Sequence, residues 1–322
     1  MTDLTRRAAI AGGLASLLNL PARSETVWPG KPITLVHGYA PGGPTDMVAR
    51  IVAEGLSRRL GQQVVVDPRS GASGTIAAAQ VARAAPDGYT LIAIPGGHAT
   101  TAALYRKLPY RAVEDFSMVS LTAEYPFVFV TNVNHPMRSV ADLINAARKR
   151  PLLYGTPGIG TVHHLSVELL AKMANVEFQH IPYRGTAQVV TDLLAGRIDF
   201  MLDAPTLVLE YIRDGRLRAL GVTSSSRFFG LPEVPTISEA AVPEYVVASW
   251  QGLAGPAGVP ASIVDRVNHE VAEILAEPIV AKRLRDIGNN PRSSSPAEFR
   301  TRLVADIEKW SAVVAYANIE RI

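Results

Sequence analysis

The stretch YAPGGPTDMVARIVAEGLSRRLG, Tyr39 to Gly61, joins an apolar segment to a regular amphipathic pattern. The residues before it, PITLVHGY at 32–39, have the composition of a buried strand. After the glycine pair, apolar side chains recur on one face of a helix. They are Met47, Val48, Ile51, Val52 and Leu56. Thr45 or Asp46 can cap this helix and Gly61 can end it, so the stretch predicts a strand, a glycine loop and a helix.

The same alternation continues along the chain. Further strands are predicted at 63–67 and 89–94, with a small-residue helix at 74–88 between them. A second series begins at 127–132 and continues through strands at 152–156, 177–183, 198–203 and 217–223, with helices at about 160–174 and 187–195. A return strand at 245–258 and two terminal helices follow. In the last helix, the spacing predicts a core-facing stripe of Phe299, Leu303, Ile307, Trp310 and Val314. The order predicts two α/β lobes with parallel sheets and flanking helices.

Composition limits the classes of function. The 322 residues are 48% hydrophobic and 19% charged, with a formal net charge of +3 and no long basic run, which disfavours nucleic acid as a main partner. The chain has no cysteine, which excludes disulfides, thiol catalysis and cysteine-ligated zinc.

The N-terminus resembles an export signal. The basic pair Arg6–Arg7 precedes an apolar run from Ala8 to Leu20, and the small residues Ala22 and Ser24 follow it. The run is shorter than the ~20 residues that span a bilayer. It predicts a cleaved signal peptide at residues 1–24, and both the general secretory route and the twin-arginine route stay open.

Enzyme and nucleotide motifs are incomplete. GIGTVH at 158–163 lacks the third glycine of a dinucleotide fingerprint, and no phosphate-binding P-loop motif occurs. GASGT at 71–75 fails the nucleophile-elbow pattern at its last residue. His163 and His164 are adjacent, so on a helix their side chains diverge by roughly 100° and form a poor metal pair. We therefore predict no catalytic residue, no metal and no cofactor.

Two glycine loops are the strongest binding features. APGGPTD at 40–46 and TPGIGT at 156–161 each follow a strand and lead into a helix. Helix starts leave unpaired N–H groups, which attract anions together with the positive end of the helix dipole. One such loop in each lobe makes a carboxylate held between the lobes plausible, because the ligand of an open α/β sheet lies beyond the carboxyl ends of its strands.

Four side chains near predicted strand ends have two possible roles each, one in binding and one in structure. Arg184 can counter a ligand charge or be a solvated surface residue. His98 and His164 can donate hydrogen bonds to a ligand or be structural. Asp203 can hold water or an ammonium group, or cap the next helix.

Several ordered blocks carry a family resemblance. They include WPGKPITLVHGYAPGGPTDMVAR, VVDPRSGASGTIAAAQVARAAPDGYTL, YGTPGIGTVHHLSVELL, HIPYRGTAQVVTDLLAGRIDFMLD and SWQGLAGPAGVP, and the similarity runs from about Trp28 nearly to the end. They resemble the extracytoplasmic solute receptors of tripartite tricarboxylate transporters, the Bug receptors.

The resemblance implies a type II periplasmic binding protein with two α/β lobes, each a mostly parallel sheet flanked by helices, joined by two crossing strands. We predict lobe 1 at 25–124 plus 249–322 and lobe 2 at 125–248. The implied ligand is a small carboxylate, such as a dicarboxylate, an acidic amino acid or an aromatic acid. The implied partners are the permease subunits of a membrane transporter, with no nucleic acid, and the implied state is a monomer in the periplasm that performs no catalysis.

Binding residues follow from the matching positions. The resemblance implies a ligand site of Tyr39, Gly42, Gly43, Thr45, Asp46, His98, Gly158, Gly160, Thr161, His164, Tyr183, Arg184, Gly185 and Asp203. Some positions depart from the family pattern: His37–Gly38 replaces a frequent Val-Pro, Thr101 a common Asn, Ile159 a frequent Asn, and Arg184 the more usual Lys. These departures leave the ligand's identity open.

Two alternatives also stay open. One is a periplasmic enzyme that acts on a carboxylic acid with His98 or His164 as general base. The other is a receptor that reports its ligand to a signalling partner instead of a permease.

Overall fold

The computed structural model describes residues 28–322. The predicted signal peptide at 1–24 lies outside the described residues. None of the described helices has the length and the apolar character needed to cross a membrane.

The described chain alternates strands and helices, as the sequence predicts. The strands are β1 Ile33–His37, β2 Val64–Pro68, β3 Thr90–Pro95, β4 Phe116–Pro126, β5 Val128–Asn132, β6 Leu152–Thr156, β7 Phe178–Pro182, β8 Phe200–Asp203, β9 Leu217–Val222, β10 Ala248–Pro256 and β11 Asn290–Pro291. The helices are α1 Pro44–Leu60, α2 Thr75–Val81, α3 Gly97–Leu104, α4 Val140–Ala147, α5 Val162–Ala174, α6 Thr186–Leu194, α7 Pro205–Arg213, α8 Ile237–Ala240, α9 Ala261–Ala276, α10 Pro278–Asp286 and α11 Pro296–Tyr316.

The strands form two sheets. One has the order β11-β4-β10-β3-β1-β2 and the other the order β7-β6-β8-β5-β9. This confirms the α/β fold with two sheets flanked by helices. The prediction that each sheet is mostly parallel is wrong in detail. Pairs β1–β2, β1–β3, β6–β7 and β6–β8 are parallel, whereas β10 pairs antiparallel with β3 and β4, and β5 pairs antiparallel with β8 and β9.

The antiparallel pairs arise where the chain passes between the sheets. Only Phe127 separates β4 in one sheet from β5 in the other, so the chain passes between the sheets as an almost continuous extended segment. The chain returns to the first sheet through β10, which pairs with β4 so that Ser249 lies opposite Tyr125. The proposed lobe boundaries at 124–125 and 248–249 fall within this crossing region and stay a prediction.

Burial explains which elements the sequence reveals. The stripe on α11 is confirmed as core for Phe299, Leu303, Trp310 and Val314, and Ile307 packs against the same core. The sequence analysis missed β4, because its residues FSMVSLTAEYP are almost all buried and show no two-residue alternation. It also missed the short helix α3, which begins at the second glycine of the pair Gly96–Gly97.

Candidate functional site

A cavity of about 370 Å³ opens between the two sheets. Both glycine loops reach it, the first through Pro44 and Thr45 and the second through Ile159, Gly160 and Thr161. A Cβ added to Gly160 would lie 2.0 Å from Cδ2 of Leu104 on α3, so the second loop packs against an element of the six-stranded sheet. The two loops therefore face one shared crevice.

Five helices begin at the cavity wall. Lining residues include Thr45 at the start of α1, Gly97 at the start of α3, and Thr186 at the start of α6. Thr161 and Ala204, the N-caps of α5 and α7, also line it. Helix starts carry partial positive charge and unpaired N–H groups. No lysine or arginine lines the cavity among the residues that the structure describes, so the helix starts are the groups there that can attract an anion.

The first loop is held by the Asp46 side chain. Its Oδ2 accepts hydrogen bonds from Gly42 N–H at 2.9 Å and from Arg50 Nε at 2.8 Å, and its Oδ1 lies 2.9 Å from Nε2 of His37. Burial opposes ionisation of Asp46, but the hydrogen bonds from Arg50, Gly42 and His37 lower its pKa to about 2. Asp46 therefore fixes the loop and does not line the cavity.

Of the four predicted ligand residues in that loop, the two glycines use their amides within the protein. Gly42 N–H donates to Asp46, and Gly43 N–H donates to Ala40 O at 3.2 Å. The N–H groups of Thr45 and Asp46 make no hydrogen bond to any described residue, and α1 has no side-chain cap. The free N–H groups of the first loop are therefore those of Thr45 and Asp46, in the first turn of α1, and not those of the glycines before it.

The second loop is held by neutral imidazoles. Gly160 N–H donates to His164 Nδ1 at 3.0 Å, and the His164 ring stacks on His180 at 3.9 Å between centroids. The Nε2 atom of His180 lies 2.6 Å from Thr156 Oγ1. Burial, with a smaller effect of His180, lowers the pKa of His164 to about 3, and burial lowers that of His180 to about 4. His164 therefore positions the loop, and Gly160 N–H is already used.

The cap of α5 leaves free donors beside this pair. Thr161 Oγ1 accepts the N–H of His164 at 3.3 Å and donates to Gly158 O at 2.9 Å. The N–H groups of Thr161, Val162 and His163 have no hydrogen-bond partner among the described residues. They are the donors that α5 presents to the cavity.

The fourteen predicted ligand residues fall into two groups, those that line the cavity and those that do not. Tyr39, Thr45, Gly160, Thr161 and Asp203 line the cavity. The other nine do not line it, namely Gly42, Gly43, Asp46, His98, Gly158, His164, Tyr183, Arg184 and Gly185.

Besides Asp46 and His164, three of these nine residues have side chains that are engaged elsewhere or exposed. His98 is buried, its Nε2 lies 3.0 Å from Ala112 O, and burial lowers its pKa. Tyr183 donates its hydroxyl to Asp192 Oδ2 at 2.8 Å, and Arg184 is exposed. Neither His98 nor His164, the general bases named for the enzymatic alternative, lines the cavity.

A polar cluster where the strands cross was largely missed. We call it the crossing cluster, and it consists of Tyr125, His163, Asp203, Ser249 and Gln251, all of which line the cavity. Burial raises the pKa of Tyr125 to about 12, and Ser249, Asp203 and Gln251 lie close enough to influence it. His163 Nε2 lies 3.2 Å from Asp203 Oδ1. The sequence held one clue, because Ser249 and Gln251 are polar residues two apart on a predicted strand and so share a face.

Apolar side chains form much of the rest of the wall. Leu104, Phe127, Ile159 and Leu207 line the cavity together with several prolines. Such a surface fits the carbon skeleton of a small organic molecule. Among the described residues, no group of three His, Cys, Asp or Glu side chains is arranged to hold a metal ion.

Comparison with known proteins identifies a family that this chain matches. Residues 48–319 match the family described as tripartite tricarboxylate transporter family receptor. A UPF0065 protein in the tcbD-tcbE intergenic region of Pseudomonas sp. strain P51 is 38% identical over 319 residues, covering 98% of this chain and 95% of that protein.

Solved structures of similar proteins support the same family. Rpa4515 from R. palustris with adipate is 39% identical, with a TM-score of 0.84, covering 92% of this chain and 100% of that one. MatC from Rhodopseudomonas palustris with bound malate is 33% identical, with a TM-score of 0.78 and coverage of 89% and 99%. The periplasmic binding protein BugD is 31% identical, with a TM-score of 0.80 and coverage of 91% and 99%. The chain therefore belongs to the receptor family of the tripartite tricarboxylate transporters, whose solved relatives are periplasmic solute-binding proteins.

Proposed function

We propose that this protein captures a small carboxylate in the periplasm and presents it to the membrane subunits of a tripartite tricarboxylate transporter, without chemical change to the ligand. The observation that carries the proposal is the convergence of five helix starts on one cavity, which no lysine or arginine lines within residues 28–322. The relatives solved with adipate and malate support the ligand class.

The carboxylate is held by main-chain donors in this proposal. The free N–H groups of Thr45 and Asp46 on α1 and of Thr161, Val162 and His163 on α5 can make charge-assisted hydrogen bonds to its oxygens. Binding at micromolar affinity corresponds to about 8 kcal/mol, which a few such bonds and the burial of a short carbon chain can supply.

Ligand binding is proposed to favour the state in which the two lobes touch. Gly160 packs on Leu104 across the cavity, so a ligand that bridges α1 and α5 adds contacts only when these elements are close. A ligand shifts a conformational equilibrium by its difference in affinity for the two states. The transporter then has a closed form to recognise, although a signalling partner could read the same form.

The test compares an acid with its uncharged analogue. The protein is unfolded, dialysed to remove retained ligand and refolded. Binding of adipate and hexanoate is then measured by calorimetry beside the neutral hexanamide. We expect saturable binding of at least one acid and at least tenfold weaker binding of the amide. Equal binding of acid and amide would show that the helix starts do not select a charge. Recovery of the acid unaltered by mass spectrometry after long incubation tests the absence of catalysis.

A further inference from the structure

Buried polar atoms without partners concentrate in the crossing cluster. Seven side-chain nitrogen or oxygen atoms are buried without a hydrogen bond among the described residues, and five belong to this cluster. They are Oδ2 of Asp203, Oγ of Ser249, Oε1 and Nε2 of Gln251, and Nδ1 of His163. Buried polar groups in folded proteins nearly always have hydrogen-bond partners, so this concentration in one cavity wall points to a bound molecule that supplies the missing bonds.

These side chains are fixed parts of the wall. Asp203, Ser249 and Gln251 are each at most 2% exposed, and all three line the cavity. Asp203 Oδ1 is already used, because it accepts the N–H of Ala204 at 2.7 Å and lies 3.2 Å from His163 Nε2. Its Oδ2 remains without a donor.

The chemistry of the free atoms limits what can lie against them. A carboxylate oxygen such as Asp203 Oδ2 only accepts hydrogen bonds, and so does Gln251 Oε1. A second carboxylate on the ligand is also an acceptor, so it cannot satisfy either atom. It would further repel Asp203 at a site of low dielectric. No lysine or arginine among the described residues lines the cavity to balance a second negative charge.

We infer that the ligand carries one carboxylate and, at the crossing cluster, a hydrogen-bond donor such as an amino, hydroxyl or carboxamide group rather than a second carboxylate. This inference rests on the proposed carboxylate-binding function and narrows it. The donor group bonds to Asp203 Oδ2 and Gln251 Oε1, while Gln251 Nε2 and Ser249 Oγ donate to any lone pair that the group carries. The carboxylate binds at the helix starts.

The experiment uses acids of matched length. Refolded, ligand-free protein is titrated calorimetrically at one neutral pH with the six-carbon series: the ω-amino, ω-hydroxy and unsubstituted monocarboxylates, and the dicarboxylate adipate. The four-carbon series, with succinate as the dicarboxylate, is treated in the same way. We expect the best donor-bearing acid to bind at least tenfold more tightly than the dicarboxylate of its length.

Variants then assign the preference to the cluster. Asp203→Asn should reduce the preference for the amino acid over the dicarboxylate at least tenfold. Asp214→Asn, an exposed position at the end of α7, should leave it unchanged. If Asp203→Asn does not fold, Gln251→Glu serves instead, and its added negative charge should increase the preference for the amino acid.

The outcomes separate this inference from the proposed function. Binding of the dicarboxylate as tight as that of the donor-bearing acids, or an unchanged preference in both cluster variants, would overturn the inference and leave carboxylate capture standing. Failure of every acid in both series to bind, with no small acid released from freshly purified protein in native mass spectrometry, would overturn both.

Discussion

The loop before α1 is held by a charged side chain, whereas the loop before α5 is held by a stacked pair of neutral imidazoles. Asp46 collects bonds from Gly42, Arg50 and His37. His164 accepts the N–H of Gly160 and stacks on His180. Each arrangement occupies one glycine N–H, and the first N–H groups of the following helix have no partner among the described residues. Two similar loop sequences thus present unpaired helix N–H groups on supports that differ in charge, in the space around them and in their response to pH.

The charged support should give the largest effect on stability. Asp46→Ala leaves His37, Gly42 N–H and Arg50 without their acceptor, and we expect it to lower the free energy of unfolding by about 3 kcal/mol. Chemical denaturation of ligand-free protein measures this. Asp286→Ala, which removes an exposed ion pair with Lys282, should change stability by less than about 0.5 kcal/mol. Similar losses in both variants would mean that the bonds of Asp46 contribute no more to stability than an exposed ion pair does.

The next largest difference between the two loops should come from the space around their glycines. Gly42 and Gly160 both have positive φ, at +75° and +70°, but a Cβ meets nothing within 4 Å at Gly42 and lies 2.0 Å from Leu104 Cδ2 at Gly160. Backbone strain of about 1–2 kcal/mol is expected for alanine at either position. Gly160→Ala should also weaken ligand binding at least tenfold by separating the loop from α3.

Gly196 provides a control for strain alone. It has φ of +69° and open space around it, and it lies outside the cavity. Gly196→Ala should lower stability as the other two do and leave affinity unchanged. If calorimetry gives the same affinity for Gly160→Ala and Gly196→Ala, the packing of Gly160 against Leu104 does not contribute to binding.

Acid should weaken the imidazole support before the charged one. The folded-state pKa of His164 lies at about 3, below its ordinary value, so as the pH falls through about 6.5 the unfolded chain takes up a proton that the folded chain does not. Stability from His164 is therefore complete above that pH and should fall by about 1.4 kcal/mol between pH 7.5 and 5.5. The pKa of Asp46 is lowered to about 2, so its contribution is present above pH of about 4 and is lost only below.

Denaturation at the two pH values tests this order. His164→Gln keeps an acceptor for Gly160 N–H and should lose about 1.4 kcal/mol less than the parent protein over this range. His269→Gln, at an exposed position, should follow the parent. Equal pH slopes for the parent and His164→Gln would remove His164 from the explanation.

The helix caps should give the smallest effect. Thr161 caps α5 through its side chain, whereas Gly43 gives α1 no side-chain cap. Thr161→Ala should lower stability by about 1 kcal/mol and weaken ligand binding, since Thr161 also lines the cavity. Ser139→Ala removes the matching cap of α4, away from the cavity, and should lower stability alike with no change in affinity. Loss of affinity in Ser139→Ala would show that global stability, and not the local cap, controls binding.

The sequence predicted those parts of the site that depend on residues close together in the chain. The strand–loop–helix units around Thr45 and Thr161 follow from apolar spacing and from glycines, and both units reach the cavity. The places of His98 and His164 did not follow, since the sequence cannot show that Ala112 O or Gly160 N–H occupies their rings. His163 was considered only as half of a metal pair, although its partner is Asp203, which is 40 residues away in the chain.

The amino-acid sequence by itself determined the alternation of strands and helices, the two glycine loops and the family, because these depend on residues that are neighbours in the chain. Only the tertiary structure decided the antiparallel crossing of β4 and β10, the use of the glycine amides by Asp46 and His164, and the crossing cluster. Each of these depends on which distant groups meet after burial, and the partner of a buried polar atom is set by the packing of the whole chain.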